Sequence, residues 1–536
     1  MKKRFGDVPF PITRADLAKL LLSVLFIGVI FLPLVRMFAH MDRESILKVL
    51  QAPNFLTAVS NSLTSAVLAT LITVVLAFAI AMCVQRTKIR CKGIFGIIFV
   101  LPMLIPSISN GMGLVILLGN NGILTRFLGL NGNIYGLWGI VIGSVLYAFP
   151  VAYLMLADVI RYEDGAPYEA ACVLGIPTHR QFTAITLPYL RKPLISVIFA
   201  VFSLVITDYG VPLMVGGKFK TVATVMYQEV IGQLDLGKGS VYGCLLLIPA
   251  VIAFLVDFLN KDKAKNSFVT KPCRESDSLP VKTVAYIACI LTCVVALLPL
   301  ASFALLAFAK DYPGNLTFTL ANITKAVKLK ADDYLVNSIL IALMTALCGV
   351  TIAFFTAYLS ARMKSRVSRF LHLASITSAA IPGMVLGLSY VLTFTNTALH
   401  NTIFILVIVN IIHFIASPYL MMYNAMSKIN ENLESVAQTL AINRLYMIKD
   451  VFLPQCKGTL MEMFSYFFVN SMMTISAVSF LSTTANKPVA LMINQFEAQM
   501  QLECAAVVSL MILGVNLLIK GTVHILKTRK RVNGCS

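Results

Sequence analysis

The chain predicts an all-α polytopic membrane protein of about twelve transmembrane helices, arranged as two parallel six-helix repeats. Three observations lead there. Apolar residues fill 58% of the 536 positions and charged residues 13%, with a mean hydropathy of +0.83, which a soluble domain does not reach. The apolar residues come in runs of about 20, the length that crosses a bilayer core. The first half also recurs weakly in the second. Asn61-Ser62 returns as Asn337-Ser338, Ala77-Phe78 as Ala353-Phe354, Ile105-Pro106 as Ile381-Pro382 and Gly111 as Gly387.

In the first repeat the runs lie near 16–39, 58–84, 94–119, 134–159, 194–216 and 240–260. In the second they lie near 281–309, 335–360, 368–397, 401–425, 459–483 and 504–526. The first run is too long for a signal-peptide core and lacks a small-residue cleavage site, so it reads as a retained span. Basic clusters follow the second and eighth runs at once, Arg86/Lys88/Arg90/Lys92 and Arg362/Lys364/Arg366/Arg369. With alternating spans, Lys2-Lys3-Arg4, Lys261/Lys263/Lys265 and Lys527/Arg529/Lys530/Arg531 fall on the same side. The positive-inside bias makes that side the cytoplasm, with both termini in it and the chain a multi-pass resident of the cell membrane. The polar stretch 261–280 joins a first domain, 1–260, to a second, 281–536, and reads as a solvated tether.

Composition and motif content exclude several functions. The formal charge of +20 caps apolar runs and forms no basic stripe on a soluble face, so no nucleic-acid partner is expected. The 11 cysteines include no C-x-x-C pair, and Cys83, Cys244, Cys289, Cys293 and Cys348 sit within runs as small apolar fillers. No cofactor or metal site is expected. A phosphate cradle of the G-x-x-x-x-G-K-[ST] type is missing, since Gly216-Gly217-Lys218 has Pro212 where the first glycine belongs. Energy for uphill transport therefore has to come from a partner subunit or an ion gradient.

The strongest motif lies between the fourth and fifth runs, in 161–192. It consists of Glu169-Ala170-Ala171, then Gly175, then Leu187-Pro188. A degenerate copy in 427–458 reads Ser435-Val436-Ala437, Ala441 and Leu453-Pro454. Small residues let a partner's surface come close, and the Leu-Pro pair is expected to end the segment where the next membrane helix begins. The pattern resembles the EAA loop of the permease subunits of ATP-binding-cassette importers, whose type I members share the repeat architecture expected here. The resemblance implies that these loops dock two copies of an ATP-binding subunit, that the chain itself is not an enzyme, and that an external binding protein delivers the solute. Ser435 in place of the glutamate, and Ala441 in place of the glycine, imply unequal grip by the two loops, although Glu434 is adjacent.

Ionisable and irregular positions inside spans mark the candidate path. Asp208, in Thr207-Asp208-Tyr209-Gly210-Val211-Pro212, is placed near the outward end of the fifth span, either lining the path or serving as a structural carboxylate. The matching stretch of the eleventh run offers hydroxyls, Ser476 among them. Pro106 and Pro382 should kink or break their helices, and a pore gate and a packing kink are both open readings. His413 is a path ligand or an interhelical contact. Fused six-span halves resemble ferric-iron permeases and their thiamine and 2-aminoethylphosphonate relatives, and the run from Thr207 to Pro212 looks most like the last of these. The outer segment 217–239 is the expected seat of the binding protein. The competing class is a gradient-driven carrier with two six-span halves. Its usual loop between spans two and three contains glycine and aspartate, whereas 85–92 contains neither.

Overall fold

The computed structural model describes residues 14–129, 134–260, 273–363, 365–430 and 432–533. Lys2-Lys3-Arg4, Lys261/Lys263/Lys265 and Lys364 lie outside them. Among the described residues helices dominate, and the sheet consists of one antiparallel hairpin, Ala309–Asp311 with Asn315–Phe318. Among the described residues nine helices are long and apolar enough to cross a membrane, or up to eleven when each of two bent pairs counts as one span.

The eleventh run departs from the expected twelve. Its helix, Lys457–Met473, has 17 residues and stops at the extended Thr474. The chain beyond turns inward and buries Ile475, Ala477, Val478 and Leu481. The fifth run does the same. Its helix ends at Ile206, and a separate short helix, Gly210–Val215, follows. An apolar run reads alike whether it spans a membrane or folds back into protein, so periodicity alone missed both turns.

The proline positions are true breaks and not kinks. A 3-10 turn, Leu101–Leu104, precedes an extended Ile105, and Pro106 caps the helix Ser107–Leu118. Likewise Ser378–Ala380 precedes Ile381, and Pro382 caps Gly383–Phe394 with a 110° bend. A broken helix frees backbone groups that lipid cannot satisfy. In the first repeat the protein satisfies them: buried Asn516 donates to the Leu104 carbonyl at 2.9 Å, and Asn110 to that of Pro102 at 3.4 Å.

The repeats are interlocked. The helices Arg14–Phe26 and Leu32–Ala39 pack against Arg366–Thr377 and Gly383–Phe394 of the other repeat. There Tyr390 donates to the Val29 carbonyl at 2.7 Å. Leu279–Ala307 in turn packs on Phe55–Arg86 and Ser107–Leu118. One apolar cluster therefore draws on both repeats, and its burial holds the seam together.

The described end of the tether also departs from expectation. Ser276 donates to the Arg86 carbonyl at 2.8 Å and accepts from the Lys88 amide at 3.0 Å, forming a parallel bridge with Thr87. Glu275 pairs with Lys92 at 2.9 Å, and Asp277 pairs with Lys282 and Lys88. Those two ammonium groups hold the Asp277 carboxyl below its ordinary range. Residues 273–278 are thus docked beside the loop after the second span.

Candidate functional site

Two elbows and one cavity account for the candidate residues. The first elbow begins with the helix Ala166–Val173, whose opening turn accepts Pro167 because that amide needs no partner there. Ala171 faces inward and is buried, while Glu169 and Ala170 face outward. Gly175 closes the helix at φ +69°, and Ile176 donates back to the Ala171 carbonyl at 2.9 Å. Nothing lies within 4 Å of where a Gly175 Cβ would point. The glycine is therefore needed for backbone shape, not for room within the chain. Val173 and Leu174 are left 88% and 74% exposed.

The second elbow repeats this with poorer residues. Its helix is Asn432–Thr439, with Ser435 and Val436 outward and Ala437 buried. Ala441 takes the left-handed position at φ +53°, where a Cβ costs about 1–2 kcal/mol. Ala441→Gly should relieve that strain. Part of the gain is offset by a more flexible unfolded chain, leaving a net gain under about 1 kcal/mol. Slower amide exchange across 436–442 would register it.

Leu187-Pro188 and Leu453-Pro454 do not end their loops. Each follows a π turn, Phe182–Thr186 or Ile448–Phe452, that runs into the next helix. The wider turn accommodates a proline that has no amide to donate.

Sequence reasoning missed what holds the elbows. Arg86 and Arg362, at corresponding ends of the second and eighth spans, show in the sequence only as part of the charge bias. Arg86 forms an ion pair with Glu163, whose side chain is 2% exposed, and lies over the Tyr168 ring at 4.8 Å. The Tyr168 hydroxyl donates to Glu163 and sits 2.6 Å from the Thr186 hydroxyl, so the threonine donates to it. Arg362 grips Glu434 through two bonds of 2.5 Å. It also donates to the Ile429 and Asn430 carbonyls at 2.7 and 2.8 Å. Glu434 is therefore committed inward and does not replace the outward Glu169. The detectable signal was an arginine at one place in both repeats.

The cavity, of about 340 Å³, lies at the seam. Asp208, Pro106, Pro382 and Ser476 all line it, with Tyr147 and His413. Asp208 stands two residues beyond the end of the fifth run's helix at Ile206. It follows the stopped helix and caps the next, accepting from the Val211 amide at 3.0 Å and the Gly210 amide at 3.4 Å. His413 packs on Phe414, with centroids 4.5 Å apart, and its Nδ1 has no hydrogen bond among the described residues. Tyr209 bridges the repeats through Ser479 at 2.6 Å and stacks on Tyr227 at 5.0 Å. On the face opposite the elbows two exposed apolar tips, Leu234 at φ +56° and Met500 at φ +57°, occupy corresponding places.

Paired elbows under a broken-helix seam define a membrane permease module that works with other subunits. The chain belongs to the family of binding-protein-dependent transport system inner membrane components, whose model matches twice, at 74–261 and 349–532. It is 25% identical to the ferric transport system permease protein of Actinobacillus pleuropneumoniae over 82% of this chain and 66% of that one. Against the Fe(3+)-transport system permease protein of Haemophilus influenzae it is 19% identical, over 86% and 88% respectively. It is 30% identical to the molybdenum transport system permease protein of Azotobacter vinelandii over 33% and 80%. The names of these relatives carry iron and molybdenum; none carries a phosphonate.

Proposed function

We propose that the chain carries ferric iron across the membrane while two copies of an ATP-hydrolysing partner work its elbows. The observation that carries this is the construction of the elbows. Each root is locked by a buried arginine pair, while the tip presents apolar side chains outward around a left-handed turn. A rigid root with an exposed apolar tip suits a handle gripped by another protein. On this reading the elbow side is the cytoplasm and holds both termini, and an external binding protein sits on the opposite face, over Leu234 and Met500.

Iron is favoured over the oxyanions by the names of the relatives that match over most of this chain and by charge. Among the described residues the cavity lining includes Asp208 and Asp257 and neither lysine nor arginine. Acidic linings favour cations and oppose molybdate-like anions.

Purified with its partner, the chain should hold two ATPase subunits, and Glu169→Lys with Gly175→Arg should release the one at the first elbow. Radiolabelled iron uptake in a deletion strain should return with the unaltered chain, and molybdate uptake should not. Unchanged assembly in the double variant, or uptake driven by a proton gradient without ATP, would overturn the proposal.

A further inference from the structure

A second concavity, of about 620 Å³, opens on the outside of the bundle beside the second elbow. Phe355, Ile448, Leu453, Phe464, Val523 and Leu526 line it. Two threonines in the wall, Thr351 and Thr522, spend their hydroxyls on their own helices, donating to the Leu347 and Leu518 carbonyls at 2.8 and 2.7 Å. Among the described residues the remaining polar group of the lining is Lys457, exposed at the start of the helix Lys457–Met473. Lys457 forms no ion pair with another described residue, whereas Lys527, at the end of the neighbouring helix, is paired with Glu462.

The duplication supplies an internal comparison. In the first repeat the matching positions carry two phenylalanines, Phe78 and Phe182, whose rings meet edge to face at 6.2 Å. In the second repeat Phe354 keeps its ring, but Ile448 stands where Phe182 would. Each of these two residues is the first of its π turn. The first repeat sets a second ring at this place and the second repeat an isoleucine, so the fold itself admits a larger side chain there.

We infer that the groove binds an anionic glycerophospholipid of the elbow-side leaflet, with an acyl chain along the apolar wall and the phosphate at Lys457. Two of the groove's walls, Ala331–Ala361 and Leu502–Lys527, are helices long and apolar enough to cross a membrane, so hydrocarbon is the medium that reaches them. A peptide segment there would leave its backbone groups unsatisfied. An apolar trough with the Lys457 ammonium at its end complements an anionic amphiphile in both parts. Because Ile448 and Leu453 belong to the elbow, the lipid packs against the handle itself. This last consequence rests on the docking role proposed above; binding of the lipid does not.

The test is read on the permease alone, so a failure of ATPase docking cannot be confused with it. The chain is placed in nanodiscs of phosphatidylcholine with phosphatidylglycerol, and the phospholipid retained after gentle release is counted by native mass spectrometry. Phosphatidylglycerol should be retained in preference to phosphatidylcholine. Lys457→Gln should reduce that preference about fivefold, the factor given by about 1 kcal/mol for one basic residue near an anionic surface. Ile448→Phe, which restores the phenylalanine of the first repeat, and Val523→Phe, which fills the groove from another helix, should each remove the retained lipid. Equal retention of both lipids, an unchanged preference in Lys457→Gln, or full retention in both phenylalanine variants would overturn the inference. Unchanged thermal unfolding of the three variants keeps misfolding from imitating the expected result.

Discussion

Glu163→Ala should unseat the first elbow and abolish coupled uptake while leaving the membrane bundle folded. The carboxylate is almost wholly buried and its partner Arg86 is only 16% exposed at the side chain. Removing one member of such a pair strands the other charge, typically at a cost of about 3–5 kcal/mol. The loss falls on the loop, because Glu163 also organises Tyr168, and Tyr168 organises Thr186 in the π turn beyond the docking helix. Three kcal/mol taken from the order of the elbow lowers affinity for a partner that needs it by about a hundredfold. Glu163→Ala combined with Arg86→Met should recover much of the stability, since no charge is then left unpaired. It should not recover full coupling, because Tyr168 has still lost its acceptor. Thermal unfolding of the purified chain and partner binding separate these two effects. A Glu163→Ala chain that binds its ATPase normally would show that the arginine pair is not what steadies the handle.

The sequence displayed the elbows more clearly than the seam, and the difference is one of range. Gly175 closes a helix through bonds to residues a few positions away, so its signature is local and readable. The same holds for its replacement by Ala441. Arg86 and Arg362 find their carboxylates 77 and 72 residues off, and nothing near either arginine names the partner. The breaks at Pro106 and Pro382 stood midway. Proline at membrane depth announced irregular backbone, but whether the helix bends or stops depends on who satisfies the freed carbonyls. In the first repeat that is Asn516, more than 400 residues later. Asp208 was only partly legible for a related reason. Its run is apolar enough to continue as a span, and only the inward turn after Ile206 brings it to a cavity shared with Ser476. The docked end of the tether, 273–278, was equally hidden, since its polar composition is what a free linker also requires.

The second large effect is expected where the two repeats touch at glycine. A Cβ on Gly210 would collide with the Ser107 hydroxyl, and would stand 2.8 Å from the Ile108 amide nitrogen and 2.9 Å from Ile475. The first of these can rotate away; the backbone nitrogen cannot, and Ile475 belongs to the other repeat. Gly210→Ala therefore prises the seam apart beside Asp208, at about 1–3 kcal/mol of overpacking. Gly383→Ala meets mainly the hydroxyl end of Ser476, with the His413 ring at 3.1 Å, and should be milder because a side chain yields more readily than backbone. Gly514 and Gly521, with nothing within 4 Å, serve as silent controls. If the seam is the path, Gly210→Ala should keep its ATPase partner yet lose about tenfold or more of its uptake, as a shift of about 1.4 kcal/mol suffices to do. Gly383→Ala should lose less, and the two controls nothing. Uptake that falls equally in all four variants would point to general loss of helix packing. Unimpaired uptake in Gly210→Ala would remove the cavity from the route, because a path through that contact cannot tolerate a wedge driven into it.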